Sequence, residues 1–159
     1  MQNVEKHSID KTLSKNMMVY EYIEQYCYFG KLTELINLDK DYYLSPHDYK
    51  IKNSYCVKLA CEGDNLGVLK FLHNKIQITS CDLVYNDSLK IICKYGYIDL
   101  LEYIYDVIKI PKSIFVSNNK YLLKLAHKYN REEIIRFFKE KLNCKLNIFQ
   151  KLFMVRFVN

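Results

Sequence analysis

Small residues recur along the chain at one interval: Cys27, Ala60, Cys93 and Ala126 are each 33 residues apart. Large apolar residues keep the same count. Ile23, Cys56, Leu89 and Leu122 stand four residues ahead of the small position, and Leu35, Val68, Leu101 and Ile134 stand eight behind it. Leu38, Phe71, Ile104 and Phe137 follow three residues later. Apolar residues at i and i+3 or i+4 line one face of a helix, so each period carries two helical stripes. Between the stripes fall Gly30, Gly63 and Gly96, with Tyr129 at this place in the fourth period and Asn130 beside it. A glycine there ends the first helix, because it takes left-handed dihedrals at little cost. The pattern therefore predicts helical hairpins over about 20–38, 53–73, 86–106 and 119–141.

Asn53, Asn86 and Asn119 share the spacing and fall at the head of each first helix, where an Asn side chain can accept from unpaired amides. Pro46 and Pro111 fall between periods, where a missing amide harms no helix. Ala or Cys at the repeating small position lets the two helices of a hairpin approach closely, which makes most of the cysteines packing residues. Repeats near 17–49, 50–82, 83–115 and 116–141 are expected to stack into one all-α solenoid, since no such hairpin buries its apolar face alone. Residues 1–16 read as a polar lead-in, and residues 142–159 as a C-terminal helix capping the stack.

The chain has 159 residues, half of them apolar, with four glycines, two prolines and no tryptophan. Such a composition supports a packed core and excludes disordered and collagen-like chains. The stretch 1–15 is scattered with Glu5, Lys6, Asp10, Lys11 and Lys15, so no secretory signal is expected and the protein is placed inside the cell. Leu152 to Val158, the most apolar run, is broken by Arg156 and falls far short of the roughly 20 residues of a membrane span. The six cysteines lack C-x-x-C spacing, so neither zinc nor a redox pair is indicated and no metal is expected. Charge is uneven. Residues 107–159 hold 12 Lys and Arg against 3 Asp and Glu, a net of +9, while residues 1–106 hold 12 against 15, a net of −3.

Motifs of catalysis are absent. The sequence has no G-x-x-x-x-G-K-[ST], G-x-S-x-G or H-E-x-x-H, and His7, His47, His73 and His127 are isolated from one another. Glu132 and Glu133 form a carboxylate pair, but the first turn of a helix, where the dipole favours negative charge, accounts for them. No enzyme, catalytic residue or cofactor is read from the chain.

The 33-residue period, the small residue three before a glycine, and the run Gly96-Tyr97-Ile98-Asp99-Leu100-Leu101-Glu102-Tyr103-Ile104 resemble the ankyrin repeat and its G-H-x-x-V-V-x-x-L half. The same half is visible at Gly30 to Leu35, at Gly63 to Leu72 with one extra residue, and at Asn130 to Phe138. The resemblance covers about residues 20–141. The T-P-L-H half departs, standing as Glu21-Tyr22-Ile23-Glu24, Ser54-Tyr55-Cys56-Val57, Asp87-Ser88-Leu89-Lys90 and Lys120-Tyr121-Leu122-Leu123. The glycine that follows the second helix is replaced by Tyr42, Lys75 and Ile108. With its Lys, Ile, Asn and Tyr bias, the chain is similar in style to the divergent ankyrin repeats of poxviruses and giant viruses.

The resemblance implies a monomeric adaptor whose concave groove binds a protein partner, a host protein if the viral likeness holds. The two residues before each glycine position would contact it: Tyr28 and Phe29, Cys61 and Glu62, Lys94 and Tyr95, His127 and Lys128. Large rings and basic groups suit an interface centre. The alternative is a binder of nucleic acid or an anionic surface, through Lys120, Lys124, Lys128, Arg131, Arg136, Lys139, Lys141 and Lys145.

Overall fold

The computed structural model describes residues 17–147, apart from the side chains of Asn118 and Asn119. The expected lead-in over 1–16 with His7, the cap over 148–159 and the cap role of Asn119 lie outside what is described. Among the described residues the protein is all-helical and contains no strand. The chain divides into two compact units between Ile76 and Gln77.

The first unit consists of α1 (17–29), α2 (Leu32–Tyr42), α3 (Pro46–Glu62) and α4 (Leu66–Ile76). Helices α1 and α3 are linked by Tyr20 Oη donating to Asp48 Oδ1 at 3.0 Å and by Lys52 bonding Glu24 at 2.8 Å. Its core holds Ile23, Cys27, Leu35, Tyr49, Ala60 and Leu69, each no more than 1% exposed. The second unit consists of α5 (Ser80–Val84), α6 (Ser88–Tyr95), α7 (Ile98–Tyr103, continued by a π-type turn over Ile104–Ile108), α8 (Lys112–Lys128) and α9 (Glu132–Glu140). Here α6 packs on α7 and α8, and α8 on α9. The small position is fully buried in all four hairpins, at Cys27, Ala60, Cys93 and Ala126.

Hairpins alternate in their turns. The first helix ends in a left-handed glycine at Gly30 (φ 68°) and Gly96 (φ 90°), whereas in the other two hairpins the left-handed residue comes one later, at Asp64 (φ 54°) and Asn130 (φ 53°). The second helices α4 and α9 are accordingly displaced by one residue, so Leu69, Leu72, Ile135 and Phe138 join the predicted Val68, Ile134 and Phe137 in the interior.

Alternation makes 66 residues, not 33, the structural period. Segments α3 and α8 start 66 residues apart, and each contains a left-handed residue, Ser54 and Lys120. Left-handed residues recur at that spacing as Tyr43 and Lys109, Ser54 and Lys120, and Gln77 and Asn143. The buried ring Tyr49 meets Phe71 edge-on at 5.9 Å, and 66 residues later buried Phe115 meets Phe137 at 6.4 Å. Tyr49 Oη donates to Asp39 at 2.9 Å, while Phe115, having no hydroxyl, packs at 5.7 Å on Tyr105, the residue corresponding to Asp39. Lys75 pairs with Asp39 at 2.9 Å and Lys141 with Asp106 at 3.3 Å.

Several expectations need correction. Pro46 does not lie between helices, whereas Pro111 does, in the segment 109–111. Pro46 is the first residue of α3, behind a capping box in which Ser45 and Asp48 satisfy one another's amides, and Pro111 caps α8. Asn53 does not cap a helix. It lies in a left-handed run, Lys52 to Ser54, that breaks α3 internally. Asn86 does act at a helix start, its Oδ1 accepting from the amide of Ser88 at 3.1 Å. No helix begins at Leu142: the amide of Cys144 closes α9 by bonding Phe138 O at 2.8 Å, with Asn143 left-handed. Residues 141–147 then alternate exposed and buried, with Leu142, Cys144 and Leu146 inward. Period two is the signature of extended chain, and three inward residues were too few to stand out against a helical reading.

Candidate aromatic and basic surface

The residues implied as partner contacts occupy the C-terminal turns of α1, α3, α6 and α8. In the first unit Tyr28 and Phe29 are 44% and 66% exposed, and their rings meet edge-on at 5.1 Å. The helix end that carries these rings is braced by the residue ahead of α4. Asn65 Nδ2 donates to the carbonyls of Cys27 at 2.9 Å and Tyr28 at 2.7 Å, satisfying oxygens that the end of α1 leaves unpaired. Glu62 is half-buried, with Lys58 at 3.6 Å on the same helix. Cys61 is fully buried. Its side chain faces the core beside Ala60, so it leaves the set of exposed contacts.

In the second unit the same brace is made by a different side chain. Arg131 Nε donates to Lys94 O at 2.8 Å, 66 residues on from Asn65 and Tyr28. A Cβ on Gly96 would meet Arg131 Cδ at 2.9 Å, so the absence of a side chain there lets the arginine reach its acceptor. Around the braced end, Lys94 Nζ lies 4.9 Å from the ring centre of Tyr95 and 5.5 Å from that of Tyr129. Lys128 Nζ lies 5.8 Å from Tyr129, and Tyr95 stacks on Tyr97 at 5.8 Å. The Tyr95 hydroxyl, hydrogen-bonded to the ammonium, raises the pKa of Lys94 and keeps it cationic. One turn earlier on α6, Lys90 pairs with Asp87 at 2.7 Å and approaches the ring of Tyr121 at 5.9 Å. His127 is half-buried and Lys128 exposed.

Comparison of the chain with family models, with characterised proteins and with solved structures returns no match. Function has to be argued from the surface itself.

Tyr129 and Tyr97 belong to this cluster and were missed in sequence, while Arg131 was read only as one of the basic residues of the alternative. The signal was present for one of them: Tyr129 stands where the other three periods have glycine. Among the described residues, several basic groups of the last third are engaged separately. Lys120 Nζ donates to the carbonyl of Lys145, Arg131 to that of Lys94, and Lys141 pairs with Asp106, while Arg136 and Lys139 lie exposed on α9.

Among the described residues no group of three or more His, Cys, Asp or Glu is placed to hold a metal ion. A cavity of about 70 Å³ lies among Leu83, Leu89, Lys90, Ile114 and Tyr121, and a second of about 260 Å³ among Tyr20, Ile23, Glu24, Asp48 and Tyr55. Neither reaches the roughly 300 Å³ from which small-molecule clefts usually start. Burial pushes the Cys93 thiol far up, and a hydrogen bond with Cys56, reinforced by burial, raises that of Cys27, which suits packing residues and not nucleophiles. Among the described residues no helix is long and apolar enough to cross a membrane.

Proposed function

We propose that the chain is a protein-binding module: an ankyrin-like stack of helical hairpins that contacts a protein partner through the ends of its first helices and does no chemistry of its own. The observation that carries this is the pair of exposed aromatic ends, Tyr28 with Phe29 and Lys94 with Tyr95, each fixed by a side-chain brace onto its own backbone. Rigid rings that lose little entropy on docking are the side chains that dominate interface energies. The braces fix the backbone from which these side chains project, so the exposed rings are presented from a rigid helix end, which lowers the cost of ordering them on docking.

Affinity capture with the whole chain, followed by the same capture with Tyr28→Ala/Tyr95→Ala, tests the proposal. The double variant is expected to keep its melting point and to lose the partner by more than about tenfold in affinity, a usual cost for truncating central aromatics. Charge reversal at Lys139, Lys141 and Lys145 is expected to change it little. Loss of binding with the charge variant alone, together with a steep salt dependence, would replace the proposal by nucleic-acid binding.

A further inference from the structure

The two units share a scaffold, and at two corresponding places an acid of the first stands where the second has a lysine, while the sign is kept at others, as at Glu21 and Asp87 or Lys58 and Lys124. The unit of residues 1–76 holds 10 Lys and Arg against 10 Asp and Glu, a net of zero, and the unit of residues 77–159 holds 14 against 8, a net of +6. At the 66-residue spacing Glu24 corresponds to Lys90 and Glu62 to Lys128, with Tyr28 corresponding to Lys94. Helix α1 carries Glu21 and Glu24 and no cation, while α6 carries Lys90 and Lys94 and no anion. Helix α8 likewise has no Asp or Glu in its 17 residues. A scaffold that forms with either sign does not require the lysines, so their accumulation on α6 and α8 has to be accounted for by what meets that face.

Resting on the protein-binding reading, we infer that the face shared by α6 and the C-terminal half of α8 docks an acidic peptide segment of the partner, whose carboxylates meet Lys94 and Lys128 between Tyr95 and Tyr129. Charge complementarity carries the choice of occupant. Lys90 is neutralised by Asp87 and Lys141 by Asp106, but among the described residues Lys94 and Lys128 have no carboxylate partner. The acids on neighbouring elements, Asp99 on α7 and Glu132 and Glu133 on α9, make no ion pair with either. Both ammoniums are instead held against tyrosine rings, at 4.9 to 5.8 Å, which orders them without cancelling their charge. The same contacts argue against single-stranded nucleic acid as the occupant. Base stacking needs open ring faces, and Tyr95 is engaged by Lys94 and Tyr97, Tyr129 by Lys94 and Lys128. What remains presented is ammonium and phenol, both donors suited to carboxylate.

The test uses the full chain and three fluorescein-labelled probes in an anisotropy titration: a 12-residue peptide alternating Glu and Leu, its Gln and Leu counterpart, and a single-stranded oligothymidylate of equal charge. The expected result is saturable binding of the Glu peptide, none of the Gln peptide, and a loss of at least about tenfold in Lys94→Glu/Lys128→Glu. Lys94→Arg/Lys128→Arg should retain binding, and equal melting points across the variants establish that the fold is kept. Failure of the Glu peptide to saturate, or equal binding by wild type and the Glu double variant, overturns the inference. So does tighter binding of the oligothymidylate, which would identify the face as a nucleic-acid surface. Failure here leaves the protein-binding proposal standing if Tyr28→Ala/Phe29→Ala still abolishes capture of a protein partner. If that variant captures normally as well, both fall.

Discussion

Replacing Gly63 by alanine separates two accounts of why a glycine stands there. Its φ of −86° is one that any residue adopts, unlike the left-handed Gly30 and Gly96. If conformation were the only issue, Gly63→Ala would stabilise the protein by about 0.4–1 kcal/mol, by restricting the unfolded chain. Space decides otherwise. A Cβ at this position collides with the carbonyl oxygen of Tyr28 and with Nδ2 of Asn65. The first is backbone and cannot swing aside without disturbing the bond it accepts from Asn65 at 2.7 Å. Overpacking costs about 1–3 kcal/mol, and weakening one hydrogen bond about 1 kcal/mol more. Set against the entropic gain, the net is a loss of about 2 kcal/mol, or roughly 4–8 °C of melting temperature for a chain of this length. Thermal and urea unfolding followed by circular dichroism measure it. In an Asn65→Ala background the loss should persist, because the backbone collision is untouched. A Gly63→Ala protein that melts at or above wild type would show that α1 and α3 do not approach in the way described.

Thiol chemistry and acid stability give two further checks. Cys81 is the exposed cysteine and should react with a thiol reagent at once, whereas Cys27 and Cys93, buried and with raised pKa, should react only as the protein unfolds; equal rates at all three would refute the packing role. Asp48 is pulled upward by burial, but this is outweighed by hydrogen bonds from the Ser45 hydroxyl and amide and from Tyr20, so its carboxyl is held below the usual range. A depressed carboxylate contributes stability above its unfolded pKa and loses it as pH falls through the folded value, so the melting-point gap between wild type and Asp48→Asn should be open at pH 7 and close below about pH 4.

The register of the helices was legible because it is written in residue size. Four small residues at one interval, all fully buried in the structure, leave few other arrangements. Helix starts were less legible. Lys52, Asn53 and Ser54 take left-handed dihedrals that no glycine announces; the helix that the pattern started at Asn53 begins after this break, behind a first segment from Pro46 that the pattern did not show. The 66-residue period was hidden for a related reason: its marker contacts are made by unlike side chains, Asn65 and Arg131 bonding a carbonyl, Tyr49 and Phe115 filling one position. A backbone acceptor does not discriminate between an amide and a guanidinium donor, so geometry can persist where identity does not. At the surface, register found the helix ends correctly but could not separate Cys61, turned inward, from its exposed neighbours. Nor could it foresee that Tyr129 would lie over Lys94 from another helix.

Conservation of the braces alongside reversal of the charges carries the functional argument one step further. Where two copies of a scaffold keep the same contacts, those contacts are what folding requires, and where they differ the fold is indifferent. Tyr28 and Lys94 are both braced through their carbonyls, which leaves their side chains unconstrained by the brace itself. Variation has therefore been confined to side chains whose backbone is fixed, and the arrangement presents one aromatic end and one cationic end on rigid supports. A partner that recognised only apolar area would gain nothing from this difference, and one that recognised only charge would not need the rings of Tyr28 and Phe29. Under the protein-binding proposal, a partner combining an apolar stretch with an acidic one would use both.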